Sequence, residues 1–102
     1  MLKKIFVSLM CSTSKSREVF DEPYQVGFVV VDDWTLDAIN IIQKAIIEKQ
    51  IQPTCRPGFD LLECVRFYSG FKEMKERDEH YKGACDRQKE RFEELLAKYS
   101  IK

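Results

Sequence analysis

Residues 60–99 read DLLECVRFYSGFKEMKERDEHYKGACDRQKERFEELLAKY, about two-fifths of a 102-residue chain and free of proline. At about 100° per residue, Phe71, Met74, Tyr81, Cys85, Phe92, Leu95 and Tyr99 fall along one helical face. Their steps of three and four, with Asp78 and Gln88 in the two polar slots, form an a/d seam of the coiled-coil kind. A single helix over this stretch would be roughly 60 Å long. The remaining residues are too few to cover all of it. The seam therefore predicts a surface that meets the N-terminal part, a second copy of the chain or a foreign partner.

The start of the stretch resembles a capping box, with Asp60 and Glu63 three apart. Leu61 to Tyr68 follows, apolar enough to be the buried part of the element; its cap and its period favour helix over strand. Ser69-Gly70 is the expected weak joint, since glycine inside a helix costs about 1 kcal/mol against alanine. Immediately upstream, Gln52 to Gly58 holds two prolines and a glycine. These interrupt helix, and leave room for at most a short third edge strand at Thr54-Cys55-Arg56.

Further upstream, Trp34 to Gln50 predicts a helix, with Asp32-Asp33 as its cap. Trp34, Ala38, Ile39, Ile41, Ile42, Ala45 and Ile46 share one broad face, suited to covering a sheet. Leu36, Ile47 and Ile51 fall elsewhere and are candidates for contact with the C-terminal helix or a partner. Tyr24 to Val31, with three consecutive valines, predicts a strand, and Gly27 within it points to a bulge. Lys3 to Met10 predicts a second strand, whose nearly continuous apolar run suits an interior position covered on both faces. Cys11 to Pro23 between them is a polar loop, long enough for an antiparallel pair. The expected fold is α+β. A small two- or three-stranded, mostly antiparallel sheet is covered by one helix, then followed by a long or broken C-terminal helix. One domain spans 1–102, with a strand-loop-strand-helix part (1–58) and a helical part (59–102).

Composition narrows the function classes. Seventeen basic residues balance seventeen acidic ones, which argues against a dedicated nucleic-acid binder. No run is long and apolar enough to span a membrane. The start of the chain reads better as a strand than as a signal peptide, so a cytoplasmic protein with reduced thiols is expected. Cys11, Cys55, Cys64 and Cys85 include no Cys-x-x-Cys pair, and His80 is the sole histidine, so no metal site and no cofactor are expected. Four scattered glycines form no nucleotide loop.

Cys11-Ser-Thr-Ser-Lys-Ser-Arg17, directly after the first strand, resembles the phosphate loop of cysteine-dependent phosphatases and of some sugar-phosphotransferase components. That resemblance implies a Cys11 thiolate nucleophile and an Arg17 clamp. The loop holds no glycine, and no helix signal opens after Arg17. A third class rests on Arg66-Phe67-Tyr68 and Tyr81-Lys82, where bases beside aromatics suit stacking on single strands. The leading expectation is a non-enzymatic module that docks on another protein as a regulator or inhibitor and self-associates through its C-terminal helix. Its expected contact residues are Phe71, Met74, Tyr81, Cys85, Phe92, Leu95, Leu36 and Ile47.

Overall fold

A computed structural model describes residues 3–10 and 24–101. The polar loop expected over 11–23, with Cys11 and Arg17, lies outside the described residues. Two antiparallel strands, β1 (Lys4–Leu9) and β2 (Tyr24–Val30), precede three helices, α1 (Asp33–Ile47), α2 (Gly58–Arg77) and α3 (Lys82–Lys98). The α+β expectation stands, with two strands among the described residues. Residues 53–57 form turns rather than a third strand, and Pro53 there is buried.

Lys4 pairs with Val30 and Phe6 with Phe28 until the register shifts after Val7. Gly27 pairs with Val7, whereas Ser8 pairs with Gln25, so Val26 is the extra residue of a bulge. Gly27 has φ +106°, a conformation side-chain-bearing residues rarely adopt. Past the bulge, Asp32 caps α1 by accepting the Thr35 N–H at 2.8 Å. α1 ends three residues short of its reach in the sequence pattern. Lys49 turns left-handed (φ 61°), its N–H donates to Ile46 and that of Gln50 to Ala45, which is a Schellman closure.

Two expectations about α2 need correction. Its cap is Pro57, with no side-chain hydrogen bond, and Asp60 lies inside the first turn, 3.5 Å from Arg56. The helix also runs unbroken through Ser69-Gly70. The Ser69 hydroxyl accepts the Val30 N–H at 2.8 Å, so this residue fastens the helix to β2. The break comes at Asp78, which is extended (φ −153°, ψ 115°) and whose carboxylate accepts the His80 N–H at 3.0 Å. One short 3-10 turn, Glu79–Tyr81, then reverses the chain. α3 folds back along α2, bringing Arg91 to Lys98 beside Arg56 and Asp60.

The core joins Val7, Leu9, Val26 and Val29 of the sheet to Ala38, Ile42, Ala45 and Ile46 of α1. Leu61, Leu62, Cys64 and Val65 of α2 and Phe92 of α3 complete it. Ile51 is buried there as well. α1 thus lies over one face of the sheet, while α2 lies beside β2 and runs the same way. Arg66 Nε donates to the Val26 carbonyl at 3.3 Å, and Ser69 engages Val30. β1 is therefore not buried on both faces: Phe6 and Phe28 form a cross-strand edge-to-face pair at 5.2 Å on the side away from the core, and both are exposed.

Candidate functional site

The most connected polar group is the Asp32 carboxylate, at the junction of β2, α1 and α2. Besides capping α1, it accepts a 2.5 Å hydrogen bond from the Tyr68 hydroxyl and lies 3.6 Å from Lys72 Nζ. Partial burial opposes its ionisation. The Tyr68 hydroxyl, the Thr35 amide and the Lys72 charge outweigh that and hold its pKa below the usual carboxylate value. Tyr68 itself is buried, and burial together with the adjacent carboxylate pushes its pKa well up. It therefore stays a neutral donor and cannot serve as a base at ordinary pH. The cations Lys72 and Lys89 lie 5.7 and 5.5 Å from its ring centre, and Trp34 packs on it at 4.4 Å. These relations describe an anchor between elements.

Two recesses border the helical hairpin. One of about 480 Å³ is lined by Trp34, Lys89, Glu90, Glu93 and Glu94. Another of about 330 Å³ lies among Arg56, Asp60, Arg91, Glu94, Leu95, Lys98 and Tyr99. Neither lining includes a serine, threonine, cysteine or histidine. Burial raises the thiol pKa of both Cys64 and Cys85, in the latter against the pull of Lys72, Lys75 and Lys89, so both remain protonated thiols. Cys55 is exposed in the turns before α2, and His80 is exposed in the 3-10 turn. Among the described residues, no three histidine, cysteine or acidic side chains converge as metal ligands would.

The seam residues separate into distinct surroundings. Cys85 and Phe92 are buried; Phe92 meets Trp34 edge-on at 5.4 Å. Leu95 packs half-buried against the core. Phe71 and Tyr81 stack on one another at 6.1 Å across the helical turn. Met74 and Tyr99 are exposed. Much of the seam is thus satisfied within one chain. Leu36 and Ile47 are exposed along one stripe of α1, on the side turned away from the sheet.

Among the described residues a further exposed apolar surface lies on the sheet, and of its residues the sequence pattern singled out Met74 alone as a partner contact. On the side of the sheet away from the core, Phe28 is 68% and Phe6 48% exposed. α2 continues that surface. Leu61, Val65 and Tyr68 turn inward, and Arg66 and Ser69 face β2. The opposite stripe (Phe67, Gly70 and Met74) therefore looks out on the same side as the two phenylalanines. Phe67 is 50% and Met74 45% exposed, and Gly70 between them faces open space. The nearby cations are engaged: Lys4 pairs with Glu73, while Arg66 bonds Val26 and reaches the Tyr24 hydroxyl at 3.4 Å.

Comparison with protein-family models, with curated proteins and with solved structures finds no match to this chain. Among the described residues, no helix is long and apolar enough to cross a membrane.

Proposed function

We propose that this protein is a non-enzymatic binding module that docks on another protein through the open side of its sheet and the adjoining stripe of α2. The observation that supports this reading is the exposure of Phe6 and Phe28 together on the sheet, with Phe67 and Met74 exposed on the neighbouring α2. A lone exposed apolar side chain is ordinary. Four large ones on adjoining elements suit an interaction surface better than isolated exposure does. Aromatic residues and methionine are also the types enriched at the centres of protein interfaces. The proposed contact surface is the sheet side together with Met74 and the flank of Phe71, rather than the whole helical seam. Docking here would occlude whatever the partner presents, so regulation or inhibition by occlusion is the proposed mode of action. A reducing compartment such as the cytoplasm suits the free thiols Cys55, Cys64 and Cys85.

Site-directed photocrosslinking tests the reading. A benzoylphenylalanine in place of Phe28 should capture a defined protein in cells, and Phe67→Asp should abolish that capture. The same group at exposed Arg87 on α3 should capture nothing defined. Equal capture at both positions, or capture of single-stranded nucleic acid from position 28, would reject protein docking at this face.

A further inference from the structure

The two edges of the sheet are treated differently. The Val31 N–H donates to the Lys3 carbonyl at 2.9 Å, which makes that pair a hydrogen-bonded one. In an antiparallel ladder such pairs alternate with pairs whose polar groups point outward. Lys4 and Val30, then Phe6 and Phe28, are of the outward kind. On the β2 side, α2 closes off part of the edge: Ser69 accepts the outward Val30 N–H, and Arg66 donates to the carbonyl of Val26 at the bulge. On the β1 side, the same alternation turns the N–H and C=O groups of Lys4, Phe6 and Ser8 away from β2. Among the described residues, none of these six groups has a hydrogen-bond partner. Met10, next along that edge, is closed off, because the Gln43 side-chain amide both accepts its N–H (2.8 Å) and donates to its carbonyl (3.0 Å).

We infer that the β1 edge pairs antiparallel with the β1 edge of a second copy, giving a continuous four-stranded sheet. The register is set by the groups on offer. With the two-fold axis at Phe6, Phe6 meets its own copy, Lys4 meets Ser8 of the other chain, and all six outward groups of each chain are used. The arrangement is free of like-charge opposition, since Lys4 faces a serine. Natural sheets often blunt an exposed edge with lysine. Here Lys4 is paired with Glu73 of α2, which neutralises that protection. The chain's zero formal charge adds no net repulsion between copies. Such pairing lines up Phe28, Phe6 and their two counterparts in one row and leaves their outer face open. It therefore stands or falls separately from docking at that face.

Two measurements on the full chain decide it. Sedimentation velocity should show wild-type protein passing from monomer to dimer as concentration rises from micromolar to millimolar. Phe6→Lys sets two cations against each other across the axis and should weaken dimerisation by at least about tenfold. Phe28→Lys alters the same face one strand in from the edge and should leave the dimer intact. Hydrogen exchange on the wild type needs no variant to fold: protection of the Phe6 and Ser8 amides should rise with concentration, while that of the Gln25 amide does not. A monomer at every concentration would overturn the inference. So would a dimer indifferent to Phe6→Lys, or one lost equally with Phe28→Lys, which would mean face-to-face stacking.

Discussion

Removing the Tyr68 hydroxyl tests what holds the sheet, α1 and α2 together. The donor is 1% exposed and its acceptor is the carboxylate that also caps α1. Hydrogen bonds to charged groups contribute about 1.5–3 kcal/mol net, against about 1 for neutral ones. Tyr68→Phe should therefore destabilise the protein by about 2 kcal/mol. It should do so with little repacking, because the ring remains against Trp34. The pH dependence carries a sign. Asp32 has a depressed folded-state pKa, so its contribution is present above the unfolded value, about 3.9, and is lost as pH falls through the folded one. Tyr68 has a raised pKa, so its contribution holds below the unfolded value, about 10, and fades as pH climbs above that. Urea denaturation across the pH range should show Tyr68→Phe flattening the alkaline decline and reducing the acid one. A double-mutant cycle with Asp32→Asn, which preserves a capping oxygen, isolates the coupling between the two side chains. A loss under about 0.5 kcal/mol at neutral pH would refute the anchor. So would a loss that ignores pH above 10 and below 4 alike.

Three further substitutions separate parts of the fold. Phe92→Ala empties a fully buried site and should cost about 3–5 kcal/mol by urea denaturation, whereas Met74→Asp on the exposed stripe should stay within about 0.5. Ser69→Ala leaves the Val30 N–H buried without its acceptor and should cost about 1–3 kcal/mol, with faster exchange of that amide. Lys49→Gly relieves a left-handed residue at the end of α1 and should raise the thermal midpoint, by an amount equivalent to about 1 kcal/mol.

The elements that rest on local patterning were legible in the sequence. The Val29 to Val31 run marks β2, Gly27 its bulge and Asp32 the cap of α1, because each signal acts within a few residues. The break in the C-terminal stretch was not. Asp78 occupies an a/d slot and reads as a polar register residue. Its side chain instead reaches the backbone two residues on and ends α2. Ser69-Gly70 gives the stronger local breaker signal, yet Ser69 is claimed by Val30 of β2, 39 residues away in the chain. A heptad pattern is also indifferent to whether its seam closes on another molecule or on the same chain. The turn at 79–81 makes much of it intramolecular, with Phe71 against Tyr81 and Phe92 in the core. The open sheet side was legible only by subtraction. With two strands among the described residues and one covering helix, alternation puts Phe6 and Phe28 on the less covered face, where they are exposed although Val30 beside them is buried.

The magnitude of that bare surface bears on how it is used. Fully burying a large apolar side chain contributes about 1.5–3 kcal/mol, and Phe6, Phe28, Phe67 and Met74 are already about half covered. Their remaining exposed area is then worth about 3–6 kcal/mol together. Association opposes this with about 4–15 kcal/mol of lost translational and rotational freedom. The apolar face alone thus supports only weak attachment to a partner. Two copies joined at β1 would present two such faces side by side. The second contact would then form at an effective concentration in the millimolar range rather than from free solution. On this argument a dimer with half its faces blocked should bind little better than a single face, whereas an intact dimer should bind a repetitive or dimeric partner about a hundredfold tighter. Wild-type protein measured above and below its dimerisation concentration, against the protein captured at position 28, would separate the two outcomes.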